Sequence, residues 1–182
     1  GHVEYDFAEV VTGFEVFRFE DGHAVEHWDN LQHLHAGTNG SGHTMTDGPT
    51  EATEPAQTEA NRSLVRAYAD EVLVDRRLDR LDRYVAAGVI EHDPHRTDGV
   101  EVLRAALSAT TTTGEHVLHY ERIHRVLAEG DFVLSAAEGS VDGVHSAIYD
   151  LVRVTGGMIV EHWDSIEPIP PRSEWNNDNG KF

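Results

Sequence analysis

Apolar residues recur along the middle of this chain at helical spacing and then give way to strand-like alternation. Leu64, Val65, Tyr68, Val72 and Leu73 share one face of a predicted helix, and Leu78, Leu81, Tyr84 and Val85 continue on a second, short one. Val89-Ile-Glu-His-Asp-Pro94 is a brief extended piece ended by proline, and Asp98-Gly-Val-Glu101 has the pattern of a capping box opening a third helix through Ala109. Extended stretches follow at about 116–127 and 131–139, and then a β-hairpin. Helices first and antiparallel strands afterwards predict an α+β domain.

The closing hairpin has a copy near the N-terminus. Glu26-His27-Trp28-Asp29 recurs as Glu161-His162-Trp163-Asp164, an offset of 135 that runs without a gap from Phe14/Tyr149 to Gln32/Glu167. Seven of those nineteen positions are identical, Arg18/Arg153, Gly22/Gly157 and Val25/Val160 among them. The later copy follows a full set of elements, whereas almost nothing precedes the earlier one. The expected organisation is therefore a hairpin left from an incomplete first repeat (1–35), a Gly-, Thr-, Ser- and Pro-rich linker (36–57) and a complete domain with a tail (58–182). The natural protein is expected to carry two tandem domains of about this repeat length. A lone two-stranded hairpin is marginal in water, so residues 9–32 are expected to borrow a partner sheet, either the edge of the complete domain or the same hairpin of a second chain.

The hairpin also places chemistry. With Glu20-Asp21-Gly22 and Thr155-Gly156-Gly157 read as three-residue loops, Asp150 falls directly across from His162, and Glu15 from His27. Asp150, Val152, Val160, His162 and Asp164 then share one face, and Glu161 and Trp163 the other. A carboxylate beside an imidazole fixes its tautomer and raises its basicity, which suits a general base near neutral pH. Asp164, an acid among apolar neighbours, is a candidate proton shuttle. The same residues could equally form an ion pair that ties two strands together. Trp28 and Trp163 read as packing or dimer-contact residues, and Tyr68 as core.

Composition narrows the partners. Lys and Arg number 14 against 33 Asp and Glu, a net charge of −19, which disfavours nucleic acid and anionic membranes. Cysteine is absent, so disulfides, thiolate nucleophiles and sulfur-ligated metals are excluded. No run of eighteen apolar residues spans a membrane, and Gly1-His2-Val3-Glu4 shows no basic start or apolar core of a signal peptide, so the expected location is cytoplasmic. The thirteen histidines include His92, His145 and His162, which with Asp164 could ligate zinc or iron. No compact ligand motif supports this, and no metal or cofactor is expected. The only lysine is Lys181. A surface rich in acid and poor in lysine suits concentrated salt, while an Arg-favouring codon bias explains the same pattern. Salt adaptation requires the melting temperature to rise from low to molar KCl as acid–acid repulsion is screened. A flat or falling trend leaves codon bias.

Tyr149-Asp-Leu-Val-Arg153, Ile159-Val-Glu-His-Trp-Asp164 and Glu91-His-Asp-Pro-His95 resemble the SnoaL-like polyketide-cyclase family of the nuclear-transport-factor-2-like superfamily. The tail Ile166-Glu-Pro-Ile-Pro-Pro-Arg-Ser-Glu-Trp175 to Phe182 resembles a subgroup described as predicted aldol-condensation enzymes. The resemblance covers 58–182 fully and 8–48 as a partial copy. It implies helices packed in a strongly curved mixed or antiparallel sheet, a cone with an apolar pocket. It also implies a cofactor-independent enzyme that moves a proton next to the carbonyl of a small apolar compound, in aldol-type cyclisation or isomerisation. Asp150, His162 and Asp164 would be the acid–base groups, His92 would sit at the pocket rim, and Tyr84 or His92 would donate to an oxyanion. A homodimer through sheet or hairpin contacts is expected. The alternative is a non-catalytic ligand-binding or dimerisation module.

Overall fold

A computed structural model describes residues 1–6, 9–175 and 180–182 of the chain; part of the predicted tail, 176–179, and Ala8 of the partial copy lie outside the described residues. Two sheets form. The larger has the order β4-β8-β7-β6-β5, from β4 (Val85–Glu91), β5 (Leu118–Glu129), β6 (Phe132–Val141), β7 (Val144–Thr155) and β8 (Met158–Pro168). Its pairings are antiparallel except that β4 runs parallel to β8.

Helix α1 (Thr58–Tyr68) passes into a π-helical turn (Ala69–Val74), followed by a 3₁₀ turn (Leu78–Arg83), and α2 (Val100–Ser108) comes after β4. The π turn closes with a five-residue hydrogen bond from Asp75 N to Asp70 O. Val65, Tyr68, Val72, Leu81 and Leu103 from these elements pack on Val85, Ile148 and Val152 of the sheet, making one buried core on its inner face. The capping box does not form: the side chain of Asp98 accepts from Glu91 N at 3.0 Å, and Gly99 begins α2 without a side-chain cap. Asp98 ties the helix start to β4 instead.

Both hairpins turn on two residues, not three. Thr155 pairs with Met158 and Glu20 with His23, which leaves Gly156-Gly157 and Asp21-Gly22 as the turns. All four have positive φ (59°, 77°, 48° and 77°), the mirror-image turn whose twist matches the strands. Each hairpin then carries a bulge at the same place. Val160 is unpaired between Glu161 and Ile159, and Val25 between Glu26 and Ala24, one repeat earlier. Asp150 therefore lies opposite Asp164, and His162 opposite Val152; Glu15 lies opposite Asp29. The expected direct pairs are diagonal neighbours on one face. Ile159, not Val160, joins the core.

The N-terminal segment is a three-stranded sheet, since β1 (His2–Asp6) pairs with β2 (Val10–Glu20), which pairs with β3 (His23–His33). It lies face to face on the outer side of the large sheet rather than edge to edge. Phe14 is buried there with Ala136, Ala147, Tyr149 and Trp163. The polar contacts across this interface obey the 135-residue offset. Asn30 Nδ2 donates to Ser165 O (2.9 Å) and Ser165 Oγ donates to Asn30 O (3.0 Å). Leu31 N donates to the Glu167 carboxylate (2.9 Å), and Ile166 N to Gln32 Oε1 (3.2 Å). Asn30 and Ser165, Leu31 and Ile166, and Gln32 and Glu167 are equivalent positions of the two copies, so the contact has a pseudo-two-fold axis. The other face of the small sheet is open, and Phe17 and Phe19 are 49% and 64% exposed on it.

Candidate active site

Strand alternation sends neighbouring residues of β4 and β8 to opposite faces, and so sorts the polar residues into two clusters. On the inner face, His162 is held between two carboxylates. Its Nε2 lies 3.0 Å from Asp150 Oδ1 and its Nδ1 lies 2.9 Å from Glu91 Oε1. Tyr120 Oη, from β5, donates to the same Asp150 oxygen at 3.1 Å. Arg96, in the loop after β4, bonds Asp93 Oδ2 (2.7 Å) and Asp164, and approaches Glu91 Oε2 at 3.6 Å. Asp150, His162 and Glu91 are all buried.

These contacts set the charge states. Burial alone would lower the His162 pKa, but the charge of Glu91 and the Asp150 hydrogen bond raise it well above the ordinary imidazole value. Burial pushes the Glu91 carboxyl up, yet His162 and Arg96 outweigh that and bring it down to about 2. Asp164 is pushed up to about 6 by burial, with Arg96 opposing in part. With a carboxylate oxygen against each ring nitrogen, the site favours the imidazolium form of His162. In that form it is a charged clamp on Asp150. Two buried atoms in this network have no partner among the described residues: the acceptor Asp150 Oδ2 and the donor Arg96 Nε.

The structure brings Asp150, His162 and Asp164 together, but it separates His92 and Tyr84 from them. His92 points to the outer face, with Nε2 3.0 Å from Glu161 Oε1 and its ring stacked on Trp163 at 4.4 Å. The Tyr84 hydroxyl is engaged by Glu71. Sequence reasoning missed Arg96, Tyr120 and the inward role of Glu91. One available signal was the parity of β4: if His92 faces out, Glu91 must face in.

A cone of helices closed by a mixed sheet, with its polar network inside, can be compared with known folds. The fold matches that of an unconfirmed ketosteroid isomerase from Kribbella flavida with a TM-score of 0.52 at 19% identity, covering 68% of this chain and 93% of that one. It matches a nuclear-transport-factor-2-like protein of unknown function from Burkholderia xenovorans with a TM-score of 0.52 at 17% identity, covering 68% and 99%. A third, of the same description, from Mesorhizobium loti, gives 0.50 at 18%, covering 66% and 97%. The fold is nuclear-transport-factor-2-like. No family model and no curated protein matches the chain. Nearly the whole of each nuclear-transport-factor-2-like neighbour is matched by about two thirds of this chain, so the chain is longer than that fold requires.

Proposed function

We propose that this protein is a SnoaL-like enzyme that moves a proton next to the carbonyl of a small, largely apolar molecule held inside the cone, without a cofactor. The reading is carried by one observation, the buried and unpartnered Asp150 Oδ2 in a network that also holds the unpartnered donor Arg96 Nε. Buried polar atoms are normally paired, and a free acceptor and a free donor in one buried network suit a ligand that supplies the opposite groups. In this scheme Asp150 Oδ2 takes the proton from the α-carbon while His162 and Tyr120 fix the other oxygen. Arg96 Nε donates to the developing enolate oxygen, protonated Asp164 gives its proton to the product carbon, and the proton held by Asp150 then passes to the Asp164 carboxylate directly across the strand pair. The aldol-type cyclisation and isomerisation readings share this first step.

A specific observation favours the alternative, a network that only pins the strands. Two cavities, of about 730 and 560 Å3, are lined by described residues, and neither is lined by Asp150, His162 or Asp164. Deuterium incorporation at the α-carbon of a panel of small ketones in D2O, followed by NMR, separates the two. The enzyme reading requires exchange that Asp150→Asn lowers by about 100-fold or more with the fold intact. Asp164 donates only when protonated, so the return step should slow as pH rises through about 6, and Asp164→Asn should remove that inflection. Wild-type exchange no faster than buffer, together with no small molecule retained in native mass spectrometry, would leave the structural reading.

A further inference from the structure

The outer-face cluster serves neither the acid–base network nor the core, and its chemistry differs. We infer that His43, Asp47 and His92 form a binding site for a divalent transition-metal ion such as Zn2+, with the Thr44 carbonyl beside it. One potential ligand atom from each of the three side chains falls within 4.8 Å of the others. His92 Nδ1 lies 2.9 Å from Asp47 Oδ1 and 2.8 Å from Thr44 O; His43 Nδ1 lies 3.5 Å from Asp47 Oδ2. Two imidazoles and a carboxylate suit borderline ions that take nitrogen and oxygen together.

The far nitrogens carry the stronger argument. His92 Nε2 is 3.0 Å from Glu161 Oε1, and His43 Nε2 is 3.6 Å from Asp98 Oδ2. Glu161 is itself fixed by Arg153 at 2.7 Å. Each imidazole therefore turns Nδ1 toward the shared Asp47 and presents Nε2 to a second carboxylate, the pattern that orients histidine ligands at metal centres. His92 has oxygen atoms against both ring nitrogens, an arrangement met by a proton on each or by a proton on Nε2 and a metal ion at Nδ1.

The site is built before any ion arrives. Asn39 Oδ1 accepts from Ser41 N (2.9 Å) and His43 N (3.1 Å), while its amide donates to Glu91 O at 2.6 Å. Asp47 Oδ1 accepts from Thr44 N at 2.9 Å, and Trp163 Nε1 donates to Asp47 O at 3.0 Å. Gly48, at φ 115°, lets the loop close on β8, because a Cβ there would come within 2.7 Å of the Trp163 ring. His92 is buried at the base while Asp47 remains 44% exposed, which gives an ion a path from solvent.

Titrating the EDTA-stripped full chain with Co2+, read by visible absorption and by Zn2+ competition, tests the site. Saturation at one equivalent is expected. His43→Ala and Asp47→Ala should each weaken binding by about tenfold or more, and Glu161→Gln should do so to a smaller degree. A control carrying His23→Ala and His33→Ala, both exposed on the other sheet, should bind as wild type. His43 is partly exposed on a loop, so its variant should melt like wild type in the metal-free state. Absence of saturable binding, or binding that survives both loop variants, overturns the proposal. Because the cluster lies on the face opposite Asp150, either result is independent of the enzymatic reading.

Discussion

Arg96→Met should destabilise the protein by about 3–5 kcal/mol, the range for removing one partner of a buried ion pair. Arg96 is almost wholly enclosed and faces Asp93, Asp164 and Glu91. Without it, His162 is the one cationic partner left for Glu91 and Asp150 among the described residues. The pH dependence follows from Asp164. Its folded pKa is already raised to about 6 and Arg96 holds it down, so the substitution raises it further. A carboxyl with a raised folded pKa stabilises below its unfolded value, and that stability is lost as pH rises through the folded value. The cost of Arg96→Met should therefore be smallest near pH 4 and grow toward pH 7, read as the shift in denaturation midpoint at each pH. Adding Asp164→Asn should recover part of the loss at pH 7. A variant within ~0.5 kcal/mol of wild type would mean that water solvates these carboxylates.

Deleting residues 1–35 should leave a folded protein that self-associates. Among the described residues both α-helices and the whole inner core lie beyond residue 57. The deletion uncovers Ala136, Ala147, Tyr149 and Trp163, removes Asn30 from Ser165 and takes the Leu31 donor from Glu167, which keeps Lys181 at 2.6 Å. Because the lost contact is pseudo-symmetric, the bared surface is shaped to meet a copy of the complete domain. Sedimentation velocity should show a dimer with native far-UV circular dichroism. A monomer that stays soluble would mean that the outer face does not need cover; failure to fold would place the small sheet in the folding core. In the full chain that face is already occupied from within. A homodimer, expected from the sequence, would have to use another surface, such as the open side bearing Phe17 and Phe19.

Much of this was legible in the sequence, for identifiable reasons. The 135-residue offset was visible because a Trp-containing tetrapeptide rarely recurs, and both matched segments fold as bulged hairpins. Period-two alternation put Asp150, His162 and Asp164 on one face. The exact register was not legible: Thr155 was read into the loop, and no composition signal marks Val160 as the extra residue. The two errors left the pairing diagonal instead of direct, and the side chains still meet. β1 was missed because five mixed residues carry little pattern. The Gly and Pro of segment 36–57 are the composition of a linker. Those residues specify irregular backbone, not looseness: Asn39 and Met45 are buried, and the loop holds the outer-face cluster. Arg96 and Tyr120 were missed because both contacts are made through tertiary approach, across 68 and 30 residues.

The pseudo-two-fold contact has a genetic consequence. In a true homodimer each substitution appears on both sides of the axis at once, so a residue on the axis must always tolerate itself. Here the two sides are encoded separately. Asn30 can therefore meet Ser165, and Gln32 can stand where the other copy has Glu167, pairs that identical subunits could not present to each other. Each side is free to drift alone, provided its counterpart 135 residues away follows.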